Sequence, residues 1–235
     1  MPNPTNAWFT RRPAWAGAIA LLLAACAGPS GPPGPAALPV PETSAPRLAG
    51  SSWYWLGSVT PMTTIAPSDP GSYNVEFLDG GQAALQLDCN RGTASWKQSG
   101  NRLEVGPVAG TRKMCAAGSD GERFGRQLQS ARSARIVQGL LEVELAGDGG
   151  TMTLARDPDA RLRSFECSGV APIVVAFGRS DAVVRWQGSA WTLKQQVTAS
   201  GTRYGADSVI LFSKGNEATL LRDGKQVAGP CVARR

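Results

Sequence analysis

Strand-length apolar runs cut short by turn residues constrain this chain more than any other feature. Tyr73-Asn74-Val75-Glu76-Phe77 alternates strictly and is followed by Asp79-Gly80-Gly81. Period-two alternation is what a half-buried strand requires, and a glycine-rich cluster supplies the reversal. Trp53 to Leu56, Ala83 to Leu87, Arg102 to Val105, Leu140 to Leu145 and Met152 to Leu154 read the same way. One segment departs from the pattern: Ser119 and Glu122 have the spacing of a capping box, after which Phe124, Leu128 and Ala131 fall on one helical face. Beyond Asp157-Pro158-Asp159, strands are expected at Phe165 to Cys167, Ile173 to Phe177, Ala182 to Trp186, Ala190 to Gln195, Val209 to Phe212 and Ala218 to Leu221. The fold class expected is mainly β with some α. An N-terminal α+β domain would occupy residues 47–157, and a small antiparallel β-barrel, whose closure removes exposed edges, residues 161–235.

The first 46 residues read differently. Arg11 and Arg12 precede an apolar stretch from Ala14 to Leu23, which is too short to span a bilayer and is laid out like a secretion signal. It ends in Leu23-Ala24-Ala25-Cys26. That tetrapeptide resembles the bacterial lipobox, which implies a signal peptide over 1–25 and a lipidated Cys26 as the first mature residue. Acyl chains contribute about 0.8 kcal/mol per buried methylene, so several of them attach a protein to a membrane without a spanning helix. Ala27 lacks the aspartate that tends to retain Gram-negative lipoproteins in the inner membrane, so an outer-membrane anchor facing the periplasm is expected. Residues 27–46 hold seven prolines among Gly, Ala and Ser, a composition that forms no core. As an extended tether they reach roughly 60 Å at most.

With Cys26 assigned to lipid, Cys89, Cys115, Cys167 and Cys231 remain, an even number in an exported chain where disulfides persist. Three pairings are possible. Cys89 with Cys115 and Cys167 with Cys231 are expected, because each pair lies within one half of the chain. Zinc ligation competes poorly, since the chain has no His and no Cys-x-x-Cys. The net charge of +6 is unevenly shared: residues 47–157 carry 11 basic and 11 acidic side chains, residues 161–235 carry 11 and 5. The basic residues are scattered, without the runs or aromatic interleaving of a nucleic-acid binder. Asp88, Cys89, Asn90 and Arg112 invite a catalytic reading, but without histidine the cysteine lacks its usual base. A disulfide beside a turn is the simpler reading; no catalytic residue, metal or cofactor is expected, and no enzyme.

Two resemblances sharpen this. Leu48-Ala49-Gly50-Ser51-Ser52-Trp53, Asp88-Cys89-Asn90-Arg91-Gly92, Trp96, Thr111-Arg112-Lys113-Met114-Cys115 and the helix near Glu122 resemble the META, or HslJ-like, domain. That resemblance implies a small α+β envelope domain without established catalytic chemistry. The family often has glycine where this chain has Asp88.

In the second half, Ser200-Gly201-Thr202-Arg203-Tyr204 and Lys214-Gly215-Asn216-Glu217-Ala218 flank the strand Val209 to Phe212. With Cys167, Cys231 and the Asp223-Gly224-Lys225 turn, they resemble the membrane-bound inhibitor of C-type lysozyme. The resemblance implies that C-type lysozyme is the partner and that Ser200, Gly201, Arg203, Tyr204, Lys214 and Gly215 form a loop surface entering its cleft. Lysozyme works with one protonated and one ionised carboxyl group. The Lys214 ammonium would meet a carboxylate there, Ser200 would serve the second carboxyl, Tyr204 would fix the loop and Arg203 would add a rim contact. Phe212 stands where relatives often carry Trp and is expected to keep an aromatic core; Asn216 stands where they often carry an acid. C-type lysozymes are typically basic, so the +6 of this half opposes long-range attraction. The competing reading is a structural or chaperone-like envelope lipoprotein that binds peptides or cell-wall components.

Overall fold

The computed structural model describes residues 45–234. The signal segment, Cys26 and the tether up to residue 44 lie outside the described residues.

The first sheet comprises β1 (Ser51–Val59), β2 (Thr64–Ile65), β3 (Tyr73–Phe77), β4 (Gln82–Leu87), β5 (Asn90–Ser99), β6 (Arg102–Val105), β7 (Ala109–Gly110), β8 (Ala131–Val137), β9 (Leu140–Leu145) and β10 (Thr151–Ala155). Eight of these close on themselves in the order β1-β3-β4-β5-β6-β8-β9-β10, because β10 pairs back with β1; β2 and β7 are short additions to β1 and β5. Every pairing is antiparallel. Trp53, Trp55, Val75, Phe77, Leu85 and Trp96 point into the core at alternate positions of their strands. Each indole N–H finds an acceptor, Ser51 Oγ for Trp53, Ser58 Oγ for Trp55 and the carbonyls of Leu78 and Gln82 for Trp96, as buried Trp requires.

A single α-helix among the described residues, α1 (Gly121–Gln129), joins this core through Phe124 and Leu128. Phe124 stacks on Trp55 with centroids 5.4 Å apart. The expected capping box does not form. The N-cap is Asp120, without a side-chain cap bond, while Glu122 pairs forward with Arg126 at 3.0 Å. Ala131 lies beyond the helix end and opens β8, so it is buried on a strand rather than on the helical face.

The second sheet runs through β11 (Arg161–Cys167), β12 (Val170–Phe177), β13 (Asp181–Trp186), β14 (Ser189–Gln196), β15 (Thr202–Ala206), β16 (Val209–Lys214), β17 (Glu217–Arg222) and β18 (Lys225–Ala233). These form a closed up-and-down barrel in chain order, β18 pairing with β11. Cys167 sits opposite Cys231 in that closing pair and is bridged to it; Cys89 is bridged to Cys115 in the first domain. Phe165, Ile173, Val175, Val184, Leu193, Leu211 and Leu220 fill the interior.

The barrels meet over a third cluster that includes Leu56, Leu140, Leu162, Ala176 and Val183. Its polar centre is Glu142, 2% exposed, which accepts bonds from Arg135 of its own barrel, at 2.8 Å, and from Arg185 of the other. Arg185 also donates to Thr153 Oγ1 at 3.0 Å. Removing one partner of a buried pair strands the other charge. Glu142→Ala is therefore expected to lower stability by about 3 kcal/mol in guanidinium unfolding, and an unchanged midpoint would contradict this role.

Candidate functional site

The expected site residues fall at one end of the second barrel. Ser200 and Gly201 lie in the loop from β14 to β15, and Lys214 and Gly215 lie at the β16–β17 turn. β15 pairs with β16, Thr202 opposite Ser213, which brings the loop and the turn side by side. Gly201 has φ +71°, and a Cβ there would come within 2.8 Å of the Ser213 carbonyl and 3.2 Å of Lys214 Cβ. Glycine satisfies both demands, the left-handed backbone and the close approach. The stem of Lys214 thus rests against the backbone that follows Ser200.

Lys214 and Glu217 face each other across a two-residue turn in which Gly215 has φ +58°, as a hairpin with glycine at the first central position requires. Lys214 is exposed and has no carboxylate within 4.0 Å among the described residues. Ser200 is exposed as well; its carbonyl accepts from Thr198 Oγ1 at 3.4 Å.

Tyr204 is buried inside the barrel, its ring 5.7 Å from Phe177. Burial, helped by the charge of Asp181, pushes its phenol above the usual tyrosine pKa, so it stays neutral and acts as packing. Arg203 points outward on the same strand and lays its guanidinium over the Phe212 ring, 5.5 Å from the centroid. Phe212 is therefore not a core aromatic as expected. It is 38% exposed, because the strand parity that buries Leu211 turns Phe212 outward.

One residue of this end carries no motif signal. Arg163, on β11, donates from Nη1 to the Gly215 carbonyl and from Nη2 to Asn216 Oδ1, both at 2.9 Å, while its guanidinium lies 5.3 Å from the Phe165 centroid. The Ala233 N–H donates to the Asn216 carbonyl at 2.7 Å. First and last strands thus grip the turn from both sides. Asn216, where relatives often carry an acid, accepts from Arg163 without neutralising it.

In the first domain, Asp88 has φ +62°, a left-handed conformation that explains the glycine usual at this position. Asn90 accepts from Thr111 Oγ1 at 2.8 Å and from the Lys113 N–H at 2.7 Å, and its amide donates to the Lys113 carbonyl at 3.0 Å. Cys89 and Asn90 thereby clasp the 111–115 segment as a structural staple.

Residues 47–166 match the family model of the META domain, and residues 165–228 match that of the membrane-bound lysozyme-inhibitor of c-type lysozyme, MliC. The chain belongs to the META domain family. It carries an MliC domain behind the META domain. No match is found among curated proteins. An NMR structure of a protein from Burkholderia xenovorans is 20% identical, with 55% of this chain and 98% of that one covered and a TM-score of 0.44.

Arg163→Ala is expected to release the Gly215–Asn216 turn while leaving the barrel folded. The Lys214 to Glu217 amides should then exchange faster, with a cost of about 1 kcal/mol for a partly exposed charged fork. Exchange at the parental rate would show that Ala233 alone holds the turn.

Proposed function

We propose that this protein is an envelope lipoprotein whose second barrel inhibits C-type lysozyme by occupying its catalytic cleft. The observation that supports this most is the contact between Gly201 and the Lys214 stem, which brings the loop carrying the exposed Ser200 against an exposed lysine with no carboxylate within 4.0 Å among the described residues. Lysozyme catalysis depends on two carboxyl groups flanking the scissile bond, one ionised and one protonated. In the proposed complex Lys214 donates charge-assisted bonds to the carboxylate, Ser200 bonds the other carboxyl, and the two loops fill the space a sugar ring would take. Arg163 positions the turn, Tyr204 anchors the strand leading from the Ser200 loop, and Arg203 with Phe212 forms a contact at the rim. Inhibition comes from occupancy; no turnover is involved.

Anchoring through Cys26, outer-membrane attachment facing the periplasm and a proline-rich tether complete the reading, consistent with the membrane-bound description of the MliC family. The excess positive charge of residues 161–235 makes attraction local rather than long-range: it resides in the acidic cleft, within a Debye length of about 8 Å at physiological salt.

Lys214→Ala is expected to weaken lysozyme inhibition by more than about tenfold, because truncating one partner of a desolvated charge pair costs about 2–5 kcal/mol. The inhibition constant measures it, and an unaltered constant removes the plug.

A second reading, binding of peptides or cell-wall components by the first barrel, is favoured by an open cleft of about 1080 Å³ beside α1. Leu87 and Val108 give it apolar lining, and Arg112 and Lys113 supply two cations. On that reading a muropeptide with free carboxylates binds the full chain, and Arg112→Glu abolishes the calorimetric signal. No heat with the parent protein would dismiss it.

A further inference from the structure

We propose that the surface offered to lysozyme runs across both barrels, with the β1–β2 turn of the first barrel, carrying Met62, as its second contact. This rests on the inhibitory reading of the second barrel and extends it to a specific part of the META domain.

Strand register defines the strip. Leu211, Ala218, Cys231 and Phe165 point into the second barrel, so strand parity turns Lys214, Glu217, Val232 and Glu166 outward. These four are also registered neighbours: Lys214 opposite Glu217, Glu217 opposite Val232, Val232 opposite Glu166. They form one continuous row from the candidate plug to the closing strand. The row does not end at the barrel. Arg234 pairs with Glu166 at 3.1 Å and donates from Nη2 to the carbonyl of Pro61 at 3.4 Å, which carries the surface onto the first barrel. Met62 follows, 86% exposed.

Two properties of the strip fit the same partner. Val232 at 55% exposure and Met62 are large apolar side chains left in water beside it, and Phe212 lies one row away. Exposed apolar groups around a charged centre are the composition of a binding surface whose rim excludes water. The charge order is also suited. Lys214 meets the acidic cleft, whereas Glu217, exposed and with no cation within 4.0 Å among the described residues, faces the basic surface around it. A cation followed by an anion complements an acidic cleft set in a basic protein.

The turn is already ordered for contact. Thr60 N–H donates to the Thr63 carbonyl at 2.9 Å, and Thr60 Oγ1 accepts from the N–H groups of Met62 and Thr63 at 3.2 and 3.0 Å. Binding there loses little chain entropy.

The test uses the full chain and egg-white lysozyme, with association and dissociation rates measured at physiological salt. Met62→Asn and Val232→Asn, which remove apolar surface without adding charge, are each expected to weaken binding by about five- to tenfold, chiefly through faster dissociation. Met114→Asn, at a fully exposed methionine beside α1, should bind like the parent. Both test positions are on the surface, and thermal melts confirm that the variants fold. If Lys214→Ala weakens binding while Met62→Asn and Val232→Asn bind like the parent, the two-barrel surface is overturned and the plug stands. If the parent chain does not bind lysozyme, both fall.

Discussion

Closure of the second barrel by β11 and β18 is the constraint on which the candidate site depends. Their pairing, fastened by Cys167–Cys231, removes the two free edges of an eight-strand meander. It also delivers Arg163 from the first strand and Ala233 from the last to the same two-residue turn. Residues more than fifty positions apart thereby hold one backbone loop, and Lys214 projects from a fixed base. Closing a loop of 64 residues by a disulfide contributes about 4 kcal/mol in the chain-entropy model, large against the stability of a domain this small.

Beyond the short peptide link from β10 to β11, a buried carboxylate ties the first barrel to the second. Glu142 lies between Arg135 and Arg185, beside the apolar cluster of Leu56, Leu140, Leu162 and Val183. An apolar interface tolerates sliding, while a hydrogen-bonded ion pair within it has one good geometry. Register between the barrels brings the Pro61–Met62 turn to Arg234 and hence to the edge of the candidate site. The META domain is in this respect a neighbour of the candidate site as well as a separate fold.

Much of the fold is legible in the sequence because its strands alternate. Tyr73 to Phe77 and Leu140 to Leu145 carry large apolar residues on the inward face, and both are strands with the expected bounds. Several strands that the apolar pattern does not announce have small residues over part of their inward face. Gly92 and Ala94 line β5, Ala131 and Ala134 line β8, and Ala228 and Cys231 line β18, so hydrophobic contrast is weak where a neighbouring Trp or Phe fills the space. The helix is visible in Phe124 and Leu128, and its start falls within one residue of Glu122, but the capping box is absent: the N-cap is Asp120, and Glu122 pairs forward with Arg126. Residue type alone places Phe212 inward, whereas parity with Leu211 sends it out.

Local periodicity, turn chemistry and residue identity were enough to set the class of each half, the even cysteine set and the two motifs of Ser200 and Lys214, since none of these depends on a distant part of the chain. It took the folded molecule to put Gly201 against Lys214, Arg163 on the Gly215–Asn216 turn and Pro61 beside Arg234. Those contacts join separate strands, and strand order, register and barrel closure are what bring them within bonding distance. No local pattern encodes such proximity, since a half-buried arginine on β11 reads the same whether it meets water or a carbonyl 52 residues away.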